Sequence, residues 1–348
     1  MTVPLALPAL AARPVLRHLE TFGDVPKSVR TLMESGVTRL LDSDMIITQP
    51  QQVPDAVTTG EAASSSIHAA GAEMAETILP QIEAEGLADH FKPLMRSFVR
   101  ILFGLFLSPE QCERACACID AGNHFSFLAS DAGGPSLSSW RSVAHAEQGG
   151  IRLTVDKVWG IEAHREGMAI VAARGPVSFF PAAYVVWPEA YRTLRRTPHG
   201  DPFLEGRLQL GNVKGVVSLT RDERVKSGGP AVFNKYLTTV RPFFVRGLMA
   251  HVGWLGARDR VALDEGDARV HAFLSEAARV QSRAGRYDVD NVHRVLAIKF
   301  ASNEFLNDLV RKGAVARFGD QRDLLAFTKM EGSSYHCYHA LRNSTKSQ

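Results

Sequence analysis

The period of the apolar residues changes twice along this chain, and that double change limits the folds open to it. Residues 1–122 read as helical. Val15-Leu16-Arg17-His18-Leu19 starts one segment, Ile67 to Leu79 is a second, stopped by Pro80, and Phe91 to Leu107 is a third. The polar, small-residue stretch Gln49 to Ser66 reads as a loop leading into a helix. Near residue 123 the pattern becomes β. Ile151-Arg152-Leu153-Thr154-Val155-Asp156 alternates as a half-buried strand does, and Met168 to Ala173 is an unbroken apolar run suited to a strand buried on both faces. Ala183 to Trp187, ended by Pro188, and Val213 to Leu219 add two more strands. Helical spacing returns after about 231, with Val295, Ile298, Ser302, Phe305 and Leu309 recurring every three or four residues. Segregated helices, strands and helices imply an α+β protein rather than a doubly wound sheet. The expected division is an N-terminal helical domain over 1–122, a middle β domain over 123–230 and a C-terminal helical bundle over 231–348.

A chain of 348 residues is long enough for such packed units. Its 40 basic and 37 acidic side chains leave a formal charge of +3, too balanced for nucleic acid or an anionic membrane to be the main partner. The most apolar run, Phe98 to Leu107, is ten residues long and contains Arg100. A bilayer-spanning helix needs about 20 apolar residues, so this run reads as a buried amphipathic helix. Met1-Thr2-Val3-Pro4-Leu5 has no basic region of the kind that opens a secretory signal, and the expected location is the cytoplasm.

Several familiar chemistries lack their motifs. No G-x-G-x-x-G lies between a strand and a helix, no Walker lysine loop is present, and no G-x-S-x-G elbow frames a serine. Cys112, Cys116 and Cys118 follow a helix-start signal, Ser108-Pro109-Glu110-Gln111, and their spacing is not that of a zinc knuckle. They read as small packed residues. His336 and His339 are three apart and would share a helix face, but a third metal ligand at a suitable spacing is missing.

Two segments carry more chemistry. Phe127 to Ser139 is a loop of small residues, whose backbone N–H groups can approach an anion or a ring edge closely. Near the C-terminus, Glu331-Gly332-Ser333 puts one carboxylate on a turn after a long helical run. The order of these and two further segments resembles the acyl-CoA dehydrogenase superfamily. Its loop of the type L-T-E-P-x-A-G-S-D-x-x-S is matched in length by Leu128 to Ser139, with Leu128, Gly134 and Ser139 retained. Its strand G-x-K-x-W-I-S/T-N-A is echoed by Lys157, Trp159 and Ala163, its A-K-x-F-A-S helix by Ala297 to Ser302, and its E-G-T by Glu331-Gly332-Ser333. Val240-Arg241-Pro242 is similar to the start of the family's first C-terminal helix. The likeness covers roughly 120–348.

That resemblance implies an α+β fold with an N-terminal helical domain, a middle β-barrel-like domain and a C-terminal four-helix bundle, and an FAD-dependent oxidoreductase. Glu331 would be the catalytic base, removing a proton α to a carbonyl while a hydride passes to flavin N5. Leu128, Ser130, Gly133, Gly134, Ser136, Trp159, Gly160, Ile161 and Ser333 would contact the cofactor. The chain departs from the pattern at Ala129-Ser130-Asp131, at Pro135-Ser136 and at Ile161, which stands where the family has a hydroxyl. After Trp254 it reads Gly256-Ala257-Arg258-Asp259-Arg260 in place of the family's cross-subunit segment, with Arg258 or Arg260 as a partial substitute. The substrate class therefore stays open between an acyl thioester, carrier-bound or free, and an alcohol or heteroaromatic intermediate of secondary metabolism. A non-catalytic binding subunit is a further alternative. By analogy with the family, a homodimer or homotetramer is expected.

Overall fold

The computed structural model describes residues 7–42, 61–134, 136–176, 181–225, 230–283 and 287–344. They form two compact units. One gathers the described residues of 1–56, 71–90 and 237–348, and the other those of 57–70 and 91–236. In chain order, α1 (Leu7–Leu19), α2 (Lys27–Asp42), α3 (Glu61–Glu73), α4 (Leu79–Glu85), α5 (Phe91–Phe106) and α6 (Pro109–Asp120) come first. Strands β1 (His124–Leu128), β2 (Val143–Glu147), β3 (Gly150–Ile161), β4 (Gly167–Arg174) and β5 (Pro181–Val186) follow. The short α7 (Pro188–Tyr191), β6 (Arg195–Phe203) and β7 (Leu208–Leu219) complete the β region. Then come α8 (Pro230–Gly256), α9 (Glu265–Arg283), α10 (Val289–Arg311), α11 (Phe318–Phe327) and α12 (Ser334–Ser344). The expected α, β, α order is observed. No helix among the described residues is long and apolar enough to cross a membrane.

The seven strands make one sheet in the order β1-β4-β2-β3-β7-β6, with β5 paired to β4. Beyond its own end, β1 turns back onto β3: the Val158 N–H donates to the Ser130 carbonyl at 3.1 Å and the Ala132 N–H to the Asp156 carbonyl at 3.0 Å. Since β1 also pairs with β4, β4 touches β2 at Val143–Arg174, and β2 pairs with β3, these four strands close on one another. This is the barrel-like element that the family resemblance implies. Met168 to Ala173 in β4 are at most 1% exposed, as an unbroken apolar run requires. Three strands escaped the pattern reading. β6 is the clearest case: Arg-Arg-Thr-Pro-His-Gly-Asp-Pro-Phe contains two prolines, is mostly solvent-facing and lies at the sheet edge, where no apolar alternation is demanded.

Helix α6 starts as its sequence signal requires. Ser108 Oγ accepts from the Gln111 N–H at 3.3 Å, and Gln111 Oε1 accepts from the Ser108 N–H at 3.0 Å. Pro80, in contrast, does not stop its helix. The chain stays helical from Glu61 to Glu85 by passing through a π-helical segment, Met74–Ile78, just before the proline. The wider turn accommodates the ring and the missing N–H donor. Most of the loop expected over 49–66 lies outside the described residues, and α3 already begins at Glu61.

In the unit that holds most of the C-terminal helices, α10 is the central element. It packs against α1, α2, α9, α11 and α12. Its sequence suggests one apolar stripe, yet nearly every residue from Asn291 to Leu306 is buried, because neighbours cover it on all sides. The unit that holds the sheet has an aromatic knot instead. Phe106 of α5 meets Phe233 and Tyr236 of α8 and Phe127 of β1 at ring separations of 5.0, 6.5 and 6.1 Å, with edge-to-face geometry. Phe106 is 1% exposed. Phe106→Ala is expected to lower unfolding stability by about 3–5 kcal/mol, measured by urea denaturation, with the loss concentrated in the sheet-bearing unit.

Candidate active site

The turn Glu331-Gly332 is built from outside itself. Glu331 has φ 56° and Gly332 φ 115°, both in the left-handed region. A residue with a side chain holds that conformation only when its surroundings impose it. Two side chains do so here. Arg241 of α8, 4% exposed, donates from Nε to the Glu331 carbonyl at 2.6 Å. Asn303 of α10, fully buried, donates from Nδ2 to the Gly332 carbonyl at 3.0 Å. Position 332 must be glycine for a second reason, since a Cβ there would approach Arg241 Nη2 to 2.9 Å. Ser333 then caps α12, its Oγ accepting from the His336 N–H at 3.3 Å.

Lys299 lies one helical turn before Asn303 and on the same face. Its ammonium is fully buried and donates to Asn303 Oδ1 at 2.6 Å and to the Phe327 carbonyl at 3.2 Å, 5.0 Å from the centre of the Phe244 ring. Burial pulls this ammonium down to about 7, with Cys337 and Glu331 opposing that pull and Arg241 adding to it. Burial pushes the Glu331 carboxyl above the ordinary carboxylate range, while the cations Arg241 and Lys299 pull it back. A carboxylate whose proton affinity is raised by burial is a better proton acceptor than one in water.

The sheet-bearing unit holds the second set of residues singled out from the sequence. Here the structure supplies a residue that sequence reasoning passed over. Asp131, read only as a departure from the family loop, forms a buried ion pair with Lys157 at 3.2 Å, both side chains having 0% exposure. Asp131 Oδ1 accepts from the Gly133 and Arg141 N–H groups at 2.9 and 2.7 Å, and Oδ2 accepts from the Ser142 N–H at 3.0 Å. Burial alone would raise this carboxyl; the bonds from Ser142, Arg141 and Gly133 and the Lys157 charge outweigh it and bring it down to about 2. Lys157 also donates to the Ala129 carbonyl at 3.2 Å and lies 4.1 Å over the Trp140 ring. The Lys-x-Trp spacing thus marks a lysine that ties the 128–139 loop to β3.

Trp159 sits at a bulge of β3 with φ 61° and is 58% exposed. An indole presented to solvent on strained backbone invites a functional reading. Its Nε1–H donates to His199 Nε2 at 3.0 Å. Gly160 packs so closely that a Cβ would come within 2.5 Å of Leu128 Cδ2, and a Cβ on Gly133 would come within 1.9 Å of the Ser139 carbonyl oxygen. Gly134 has φ 99°, which favours glycine. The structure brings Leu128 against Gly160 and the Ser130 main chain against Val158, next to Trp159. The Leu128 side chain belongs to the core of the sheet, so only its main chain is available to a ligand. Ser130 is exposed, and Ser136 Oγ lies 2.8 Å from Ser138 Oγ. The Ile161 carbonyl accepts from Ser126 Oγ at 3.0 Å. Pro135 lies outside the described residues. Glu331 and Ser333 belong to the other unit.

Two other candidates have structural employment. Arg260 makes a two-pronged ion pair with Asp320, at 2.9 and 2.5 Å, and Arg258 stacks 4.2 Å from the centre of the Trp254 ring. Around His336 and His339 there is no metal site: among the described residues no group of three or more His, Cys, Asp or Glu side chains could hold an ion.

No family model matches the sequence, and no curated protein matches it. Solved structures do match the fold. Glutaryl-CoA dehydrogenase from Mycobacterium smegmatis superposes with a TM-score of 0.63 at 14% identity, over 99% of this chain and 96% of the other. Podospora anserina nitroalkane oxidase gives 0.61 at 14% identity, over 100% and 97%. The prolyl acyl carrier protein oxidase AnaB gives 0.57 at 12% identity, over 98% and 100%. The chain has the acyl-CoA dehydrogenase fold, and at the level of fold the resemblance seen in the sequence is borne out.

Asp131→Ala would leave a buried ammonium unpaired and is expected to cost about 3–5 kcal/mol, read by chemical denaturation. The pH dependence checks the cause. A carboxyl held near 2 when folded and near 3.8 when unfolded contributes fully above about 4 and loses its contribution as pH falls toward 2. The gap between wild type and variant should therefore narrow as pH falls below about 4.

Proposed function

We propose that this protein is an FAD-dependent oxidoreductase in which Glu331 takes a proton from the substrate. The observation that carries the reading is the Glu331 turn, whose carbonyls are fixed by Arg241 and Asn303 and whose carboxyl is raised by burial. A base in that condition suits removal of a weakly acidic C–H or O–H proton near neutral pH.

The residues of the sheet-bearing unit fit the cofactor. The Trp159 indole offers an accessible aromatic face, and Gly133 and Gly160 let the loop and β3 pack tightly against Ser139 and Leu128 beneath it. Ser130 and Ser136 add hydroxyls on the same loop. A glutaryl-CoA dehydrogenase of this fold from Mycobacterium smegmatis was solved in complex with FADH2. When bound, FAD would supply the acceptor for the hydride, at N5. The chain's own part is to hold the substrate against the base, exclude water and accept the proton at the Glu331 carboxylate. Buried Ser334 Oγ, three residues on, makes no hydrogen bond among the described residues and is a donor available to a ligand.

An acyl thioester fits this chemistry, because its α C–H is acidified by the carbonyl that backbone N–H groups can polarise. Two neighbours of like fold are named for such substrates, glutaryl-CoA dehydrogenase for a CoA thioester and prolyl acyl carrier protein oxidase for a carrier-bound acyl group. An alcohol or heteroaromatic substrate of secondary metabolism would use the same base, with the hydroxyl proton going to Glu331.

Glu331→Gln is expected to keep its flavin and to lose at least 100-fold in the rate of anaerobic flavin bleaching, measured by stopped-flow absorbance with a panel of acyl-CoA, acyl-carrier and alcohol substrates. Bleaching at the wild-type rate in that variant would remove Glu331 from the reaction.

A further inference from the structure

We infer that Lys299, acting through Asn303, is a positioning residue that keeps Glu331 ionised and aimed. This inference rests on the reading of Glu331 as the base. Lys299 is fully buried in the middle of α10, where an ammonium is costly unless something uses it. Its hydrogen bonds do not lead to an acidic partner. They lead to two neutral oxygens, Asn303 Oδ1 and the Phe327 carbonyl, so the positive charge is not cancelled where it sits. Asn303 is the link: its oxygen receives the ammonium and its amide nitrogen holds the Gly332 carbonyl, one residue after the base. Accepting from the ammonium fixes which end of the amide faces the turn, since only the NH₂ end can then donate to a carbonyl.

Burial drives Glu331 toward its neutral form, and a neutral carboxylic acid cannot accept the substrate proton. The cations that oppose this are Arg241 from α8 and Lys299 from α10. The remaining titratable groups facing the pair come from α12. Cys337 is a thiol pushed up by burial and stays protonated at physiological pH, and His336 is exposed to solvent. Arg241 spends its Nε on the Glu331 carbonyl and stays charged throughout. Lys299 is the member of the set that can lose its charge near neutrality.

The test compares full-length protein with Lys299→Met and Lys299→Gln, the second keeping an N–H donor for Asn303. Glutamate labelled with carbon-13 at the carboxyl reports Glu331 directly, its resonance being the one missing in Glu331→Gln. Both variants should titrate Glu331 at higher pH than wild type. In flavin-loaded protein, bleaching at pH 6 should slow by about tenfold relative to wild type, with the difference closing above pH 8. A purely structural lysine would lower stability without moving either curve. Wild type offers a check independent of how well the variants fold. In protein carrying nitrogen-15 lysine, the Lys299 signal should titrate near neutrality, and the Glu331 carboxyl signal should shift in the same step. Coincident Glu331 titrations in wild type and Lys299→Gln, or a Glu331 signal indifferent to the Lys299 step, overturn the inference. If Glu331→Gln bleaches normally while these titrations move together, the base assignment fails and the electrostatic link stands.

Discussion

The helical unit depends on one constraint: α10 is covered on every side, so each polar group it carries must find its partner inside the protein. Ser302 bonds back to the Lys299 carbonyl, Glu304 pairs with Arg39 of α2, and Asn303 reaches the Gly332 carbonyl. The Glu304 pairing is possible because α2 has Gly36 where any larger residue would collide with the carboxylate. The N-terminal helices and the C-terminal turn are thus specified by the same few buried polar side chains. Arg241 completes the arrangement from α8. The geometry of Glu331 is inherited from this core and does not reside in its own tripeptide.

In the sheet-bearing unit the corresponding role falls to Asp131 and Lys157. A buried ion pair adds little stability by itself, because desolvation offsets the attraction. What it supplies is placement. With three backbone N–H groups on one carboxylate, the loop after β1 has one way to lie against β3. Trp159, two residues beyond Lys157, is then left exposed on strained backbone, and strain of this kind persists only where the surroundings are firmly fixed.

Much of the fold was legible because burial leaves a periodic trace. β4 and β5 emerged from apolar runs, α6 from its capping box and α10 from three- and four-residue spacing. The trace vanishes where burial is absent, which is why the solvent-facing edge strand β6 was missed. It also misleads at Pro80, since a π-helical turn absorbs a proline that a regular helix would reject. For the candidate site, ordered short motifs pointed to Glu331, Lys157, Trp159 and Lys299. Asp131 looked like a mismatch because its partner is 26 residues away, and a pairing across strands has no signature in a linear pattern. Asn303 had one available signal, its position one helical turn after Lys299 on the same face.

The central claim is that these pieces serve a flavin. The most direct measurement is the visible absorption spectrum of the purified full-length protein, with the chromophore released by denaturation and identified. FAD is expected at about one per chain, either as isolated or after incubation with the cofactor. A colourless protein that stays correctly folded and takes up no FAD would contradict it.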